Sequence, residues 1–341
     1  MKTYLFGAGQ NVYKANLHCH TNLSDGNLSP AEVKDLYLSQ GYSVVAFTDH
    51  DMLIPHPELK DEKFLPLNGM EFAVRNKDPD RPGKNPCVHM NFIALEEDNV
   101  KTPLYHRTKH ITHRQKVENG LLTFDESLPD YERNYSIGMV NDAIRRARKL
   151  GFFVTYNHPI WSFENAERLL QYENLSGIEV YNHSSYTIGY DEYTPGLFEH
   201  LCRAGKNIFP IAADDNHNKY PYPDKRSDAC GGYVMIEADE LEYRAVTRAL
   251  ENGDFYASGG AVIKEIFVED GILTVKGENL ERINVSYEYG SAQKEISGEE
   301  PLTEASFDFH KDRGWLRVSV LDRNGKFAMT RVYYPEEWME K

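Results

Sequence analysis

Apolar runs of strand length, most of them ending in histidine or carboxylate, constrain the fold of this chain more than any other feature. The stretch leading to His18 and residues 44–47, 64–67, 88–95, 152–156, 178–181 and 208–212 read as seven strands. Helical segments near 137–150, 163–173 and 196–205 separate them in the later half. The first unit is the sharpest. Ser29 can cap a helix, Pro30 suits its first position, and Glu32 completes a capping box. Val33, Leu36 and Tyr37 share a face, Gly41 stops the helix, and residues 43–47 run as a buried strand into Thr48, Asp49 and His50. Strands alternating with helices imply a mainly parallel sheet. Polar clusters just past the strand ends imply a barrel with its site at the C-terminal mouth.

After a helix at about 239–252, strand–helix alternation gives way to short alternating strands punctuated by Gly271, Gly277 and Gly290. Residues 315–321 and 327–334 flank Asp322, Arg323, Asn324 and Gly325 as a hairpin. The boundary falls near 258–262, giving a first domain over 1–260 and a small all-β, sandwich-like domain over 261–341.

Composition narrows the function. Hydrophobic residues make up 40% of the 341, enough for a large core, and the net charge of −15 opposes broad attraction to nucleic acid or anionic membrane. The N-terminus turns polar by Gln10 and Asn11, too soon for a secretory signal, and no apolar run approaches membrane-spanning length. Cys19, Cys87, Cys202 and Cys230 are far apart, which fits reduced thiols. A soluble, unprocessed, cytoplasmic protein is expected.

The chemistry lies at the strand ends. His18 and His20 are two apart, so in an extended segment both point one way and Cys19 the other. Asp25 follows in a glycine-containing turn, His50 ends the second strand, and Glu71 follows Gly69 and Met70 after the third. A lone pair of this kind is more often a surface feature; the conjunction is what points to metal. The ordered set His18, His20, Asp25, Thr48-Asp49-His50, Gly69-Met70-Glu71, His89, Asn157-His158-Pro159 and Asp215-Asn216-His217 resembles the PHP (polymerase and histidinol phosphatase) superfamily over roughly residues 14–258. Within it the chain is most similar to the stand-alone hydrolases grouped with carbaryl hydrolase, McbA-like metallohydrolases and TrpH-type phosphoesterases.

That resemblance implies a distorted seven-stranded (β/α) barrel and two or three divalent ions, Zn, Mn or Fe. It would place the first ion on His18, His20, Glu71 and Asp215, the second on Glu71, His89 and His158, and the third on Asp25, His50 and His217. The residues themselves say only that six histidines and three carboxylates at strand ends can coordinate several borderline cations. His89 precedes its strand instead of following it, and His158 lies beyond a long insertion. The expected activity is hydrolysis of a small phosphorylated metabolite or nucleotide by a metal-bridging hydroxide. The substrate is a small molecule, with nucleic acid entering only as a nucleotide or short oligonucleotide. Cleavage of a carbamate, ester or amide is the alternative, and a non-catalytic metal- or ligand-binding module is a third reading.

Three features stay open between function and scaffold. Asp49 is a candidate catalytic or ligand-orienting acid, or a solvated loop acid. His183, after the strand 177–181, is a candidate proton donor and substrate contact, or a hydrogen-bonded loop histidine. Segment 101–116 has five basic residues, three histidines and no acid. It reads as a lid touching the anionic substrate through Arg107, Lys109 or Arg114, or as a solvated loop.

Overall fold

The computed structural model describes residues 2–9, 11–77, 85–109 and 116–339. Its strands are, in chain order, β1 (Lys2–Phe6), β2 (Asn11–Asn16), β3 (Val44–Phe47), β4 (Leu65–Arg75), β5 (Cys87–Ala94), β6 (Lys101–Thr102), β7 (Thr123–Phe124), β8 (Phe152–Tyr156) and β9 (Gly177–Asn182). They continue with β10 (Phe209–Ala213), β11 (Tyr233–Ala238), β12 (Phe255–Ser258), β13 (Val262–Glu269), β14 (Ile272–Tyr287), β15 (Gln293–Ile296), β16 (Leu302–Asp308), β17 (Leu316–Asp322) and β18 (Phe327–Thr330). The fold is mixed α/β. One large sheet runs β1-β13-β14-β17-β18-β12-β11-β2-β3-β4-β5-β8-β9-β10, with β15 and β16 also paired to β14; β6 and β7 form a separate ribbon.

The seven strands expected from the sequence are β2, β3, β4, β5, β8, β9 and β10, neighbours in that order. Pairing is parallel through β2, β3 and β4 and again through β8, β9 and β10. It is antiparallel on both sides of β5. The departure has a simple cause. Only residues 76–86 separate β4 from β5, too few for the crossover helix that parallel neighbours need. Beyond the sheet's last strand, a parallel bridge between Cys19 and Asn216 brings the chain after β10 back to the chain after β2.

The helix Pro30–Ser39 begins as its sequence predicts: the Ser29 side chain accepts from the Glu32 backbone N–H while the Glu32 carboxylate accepts from that of Ser29. The helix Ile137–Lys149 buries Val140, Ala143, Ile144 and Ala147 in a core shared with β5 and β8. The expected helix over 163–173 shrinks to Ala166–Leu169, because Asn165 caps it late. No helix among the described residues is long and apolar enough to cross a membrane.

Across residue 260 the sheet is unbroken. β12 pairs with β18, and β1 pairs not with its chain neighbours but with β13. The hairpin β17–β18 forms with Leu321 opposite Phe327 and Gly325 at φ 76° in its turn. Trp315, Phe327, Met329 and Val332 lie in the same core as Phe198, Leu201 and Cys202 of the helix Pro195–Arg203.

Candidate metal centre

His18 and His20 follow β2 in extended backbone, and their imidazoles turn the same way, with the two Nε2 atoms 3.1 Å apart. Cys19 points oppositely, into an apolar cluster with Val33, Tyr37 and Phe47. Backbone hydrogen bonds fix this stretch against the chain after β10: His20 N donates to Asn216 O at 3.1 Å, and Asp215 N to His18 O at 2.9 Å. Two candidate ligands, His158 (φ 30°) and Asp215 (φ 54°), hold backbone conformations that non-glycine residues seldom adopt, as is common where a site dictates geometry.

Glu71 is the hub. Its Oε1 lies 3.2 Å from His18 Nε2, 3.1 Å from His89 Nδ1 and 3.3 Å from His158 Nε2. Its Oε2 lies 2.9 Å from His50 Nδ1 and 3.6 Å from His20 Nε2. The antiparallel run of β5 explains how His89 reaches it. A strand running the other way starts where its neighbours end, so a histidine near its beginning sits among theirs, with His89 opposite Ala73.

Asp215 Oδ1 is 3.0 Å from His20 Nε2 and 3.2 Å from His18 Nε2, and its Oδ2 is 3.8 Å from His158 Nε2. Asp25 reaches His20, His50 and His217 at 3.5–3.6 Å. All nine residues named from the sequence therefore belong to one connected cluster. Three subsets have ligand atoms close enough to share an ion: His20, Asp25, His50 and His217; His18, His20 and Asp215; and His50, Glu71 and His89. His50 contributes to two of these, facing Glu71 through Nδ1 and Asp25 through Nε2.

Electrostatics agree with the geometry. Burial disfavours charge on every group, yet opposite charges prevail at Glu71, Asp215, His89 and His217, though not at His20. Glu71 and Asp215 are held far below the usual carboxylate range by the surrounding histidines. Against burial, Glu71 and its neighbours raise His89 to about 10, and Asp25 with Asp215 raises His217 to about 9. His20, deep among other imidazoles, is lowered to about 4 by burial and by His50 and His217.

The sign of the pH dependence follows. In the metal-free protein the raised histidines contribute stability that is full below their ordinary value of about 6.5 and lost as pH rises through about 9–10. The depressed carboxylates contribute above their ordinary range and lose it on acidification. A divalent ion must displace the histidine protons, so affinity for Mn²⁺ or Zn²⁺ should rise about tenfold per pH unit, or more, from pH 6 to 8. Titration of metal-stripped protein checks this, and a flat affinity across that range would contradict the ligand assignment.

Several partners were not singled out in the sequence. Glu179, fully buried in β9, accepts from His18 Nδ1 at 2.7 Å and from the backbone N–H of His158 and Asn182 Nδ2 at 2.8 Å each. Its hold on the Nδ1 proton leaves the His18 Nε2 lone pair facing Glu71 and Asp215. His217 Nδ1 likewise donates to Asp215 O at 2.9 Å, freeing Nε2 toward Asp25. Trp161 packs its ring on His158 and His89, with centroids 4.6 and 5.4 Å away. The one signal for Glu179 was a lone acid in an otherwise apolar strand.

Asp49 does not face the cluster. Its Oδ1 accepts from the backbone N–H of Thr21 and Ser24 and from Ser24 Oγ at 2.5–3.1 Å, its Oδ2 from Thr21 Oγ1 at 2.8 Å, so it positions the turn that carries Asp25. His183 bonds Tyr181 Oη through Nδ1 at 2.8 Å and lies so close to Gly231 that a Cβ there would meet its ring at 2.3 Å. Burial and Lys326 lower it to about 4.

Arg107 and Lys109, candidates for substrate contact, are engaged by residues 126–132, beyond their own segment. Arg107 binds Asp130 at 2.7 Å and the carbonyls of Glu126 and Leu128 at 2.8 and 2.9 Å, and Lys109 pairs with Glu132. Arg114 lies outside the described residues. Alanine at Arg107 or Lys109 is therefore expected to change kcat/KM by no more than about twofold, as for exposed pairs generally. A tenfold loss for phosphate esters with unchanged metal content would restore the lid.

No family model matches the chain. Over 112 residues it is 30% identical to the 5'-3' exoribonuclease of Haemophilus influenzae, a match that takes in 31% of this chain and 38% of that enzyme. The chain thus spans well under half the length of that relative. Among solved structures it is similar to a two-domain protein from Bacteroides vulgatus containing a predicted PHP-like metal-dependent phosphoesterase, with 16% identity, 97% of this chain and 98% of that one covered, and a TM-score of 0.48. It is also similar to a putative metal-dependent phosphoesterase from Bifidobacterium adolescentis, with 17% identity, 61% and 89% covered, and a TM-score of 0.39. An amidohydrolase from Chromobacterium violaceum matches with 17% identity, 71% and 96% covered, and a TM-score of 0.41.

Proposed function

We propose that this chain is a PHP-type metal-dependent phosphoesterase, with β2, β3, β4, β5, β8, β9 and β10 forming a distorted seven-stranded barrel and the nine clustered residues holding two or three divalent ions at its mouth. The observation that carries this reading is one buried carboxylate, Glu71, with five imidazoles within 3.6 Å of its two oxygens. A hydrogen-bonded structural cluster does not need so many nitrogen donors aimed at one point. Nitrogen and carboxylate oxygen without thiolate suit Zn²⁺, Mn²⁺ or Fe²⁺.

When bound, such ions supply an activated water and charge stabilisation for displacement at phosphorus. The chain's own residues do the rest. Glu179 fixes the His18 tautomer, Asp49 holds the turn bearing Asp25, and Asn157 Nδ2 donates to Glu71 Oε1 at 2.9 Å, fixing the rotamer of the hub. The three adjacent ligand subsets favour several ions side by side, the arrangement that serves both the attacking and the leaving oxygen of a phosphate ester.

The test is a panel of phosphomonoesters, cyclic and bis-phosphorylated nucleotides and aryl carbamates, assayed with added Mn²⁺ or Zn²⁺. Metal-dependent phosphate release is expected. Turnover of carbamates with none of the phosphate esters would replace phosphorus chemistry with carbonyl chemistry.

A further inference from the structure

Residues 101–105 and 107 of the basic segment help to build a cavity of about 620 Å³, a volume in the range of small-ligand pockets. Leu104, Phe124, Leu128, Tyr131 and Phe152 supply its apolar and aromatic walls. The Tyr105 and Phe124 rings stack at 4.3 Å and so present a fixed face. Phe152 opens β8, whereas His158 lies past that strand's other end. The five residues of β8 put Phe152 roughly 13 Å from Tyr156, the strand end nearest that histidine.

Lys101, Arg107, Arg145, Arg146 and Lys149 also line the cavity, against a single lining acid, Asp125. Nearby acids offset part of this charge. Asp130 takes Arg107, and Asp142 is shared by Arg145 and Arg146, leaving one of that pair's positive charges over. Lys101 faces Asp125 electrostatically, and Lys149 has no carboxylate partner among the described residues. In a chain of net charge −15, an apolar slot bordered by surplus cations is unusual. It matches a ligand that is apolar at one end and anionic at the other.

We propose that this cavity is a second ligand site, separate from the metal centre, for a small amphipathic anion: an aromatic or aliphatic body seated on Leu104, Phe124 and Tyr131, with a carboxylate or phosphate head between Lys101 and Lys149. The site stands whether or not the chain is a phosphoesterase.

The experiment uses the full chain and anilinonaphthalene sulfonate, an aryl anion whose fluorescence rises in apolar surroundings, as the probe. Phenylbutyrate, phenylphosphonate and neutral phenylbutanol serve as competitors. One probe per chain should bind, and at least one of the two acids should displace it, the stronger identifying the head group, while phenylbutanol should not. The double variant Lys101→Glu, Lys149→Glu alters two exposed side chains, so it should keep the wild-type melting temperature and lose at least about tenfold in probe affinity, the scale of one or two charge-assisted contacts. Glu71→Gln should bind the probe as wild type does. Undiminished binding in the double variant, equal displacement by phenylbutanol, or loss of binding in Glu71→Gln would overturn the proposal.

Discussion

Substituting Glu71 by glutamine is expected to remove bound metal and activity together, with kcat/KM falling by a factor of about a thousand or more, equivalent to about 4 kcal/mol of transition-state stabilisation. The carboxylate is 1% exposed and shared by His18, His20, His50, His89 and His158. Glutamine has nearly the same shape but no charge, and its amide nitrogen would aim protons at imidazole nitrogens or at a cation. Because the size is kept, the strands around it should still assemble, so circular dichroism should match wild type while elemental analysis shows the loss. A Glu71→Gln protein that keeps its metals and most of its turnover would remove the hub from the account.

Expression of residues 1–260 alone should yield insoluble or unfolded protein. The cut strips Trp315, Phe327, Met329 and Val332 from the core they share with Phe198 and Leu201. At about 1.5–3 kcal/mol for each large buried apolar side chain, four such losses approach the total stability of an ordinary domain. The cut also leaves β12 without β18 and β1 without β13, two open edges of the kind that pair with other chains. Size-exclusion chromatography and a thermal melt decide the matter: a monomeric fragment melting with the full chain would show the C-terminal strands to be an accessory.

Much of the candidate metal centre was legible because its residues obey local rules. Residues two apart in extended chain share a face, which placed His18 with His20, and ligand types just past apolar runs placed His50, Glu71, His158, Asp215 and His217. What stayed hidden depended on partners distant in sequence. Periodicity gives a strand no direction, so His89 looked misplaced until β5 proved antiparallel. Nothing between Lys2 and Phe6 announces that β1 pairs with a strand some 260 residues on, since pairing is set by the sheet edge available and not by the residues alone.

Charge was the weakest guide. The basic insertion carries no acid of its own, yet Asp130 and Glu132 lie close beyond it and take up Arg107 and Lys109. Asp49 adjoins a ligand in sequence, but adjacent residues of an extended segment face opposite ways, and its carboxylate turns to Thr21 and Ser24. Glu179 went unmarked because a single acid in a strand reads as a solvent-facing residue until both faces are known to be covered.

The most direct measurement is the metal content and position of the full chain. Protein reconstituted with Mn²⁺ or Zn²⁺ and freed of excess ion should contain two or three ions per chain by elemental analysis. Anomalous scattering from crystals at the metal's absorption edge should place each within about 2.0–2.3 Å of atoms of His18, His20, Asp25, His50, Glu71, His89, His158, Asp215 or His217. Protein that retains no ion under these conditions, or holds its ions away from Glu71, would contradict the account.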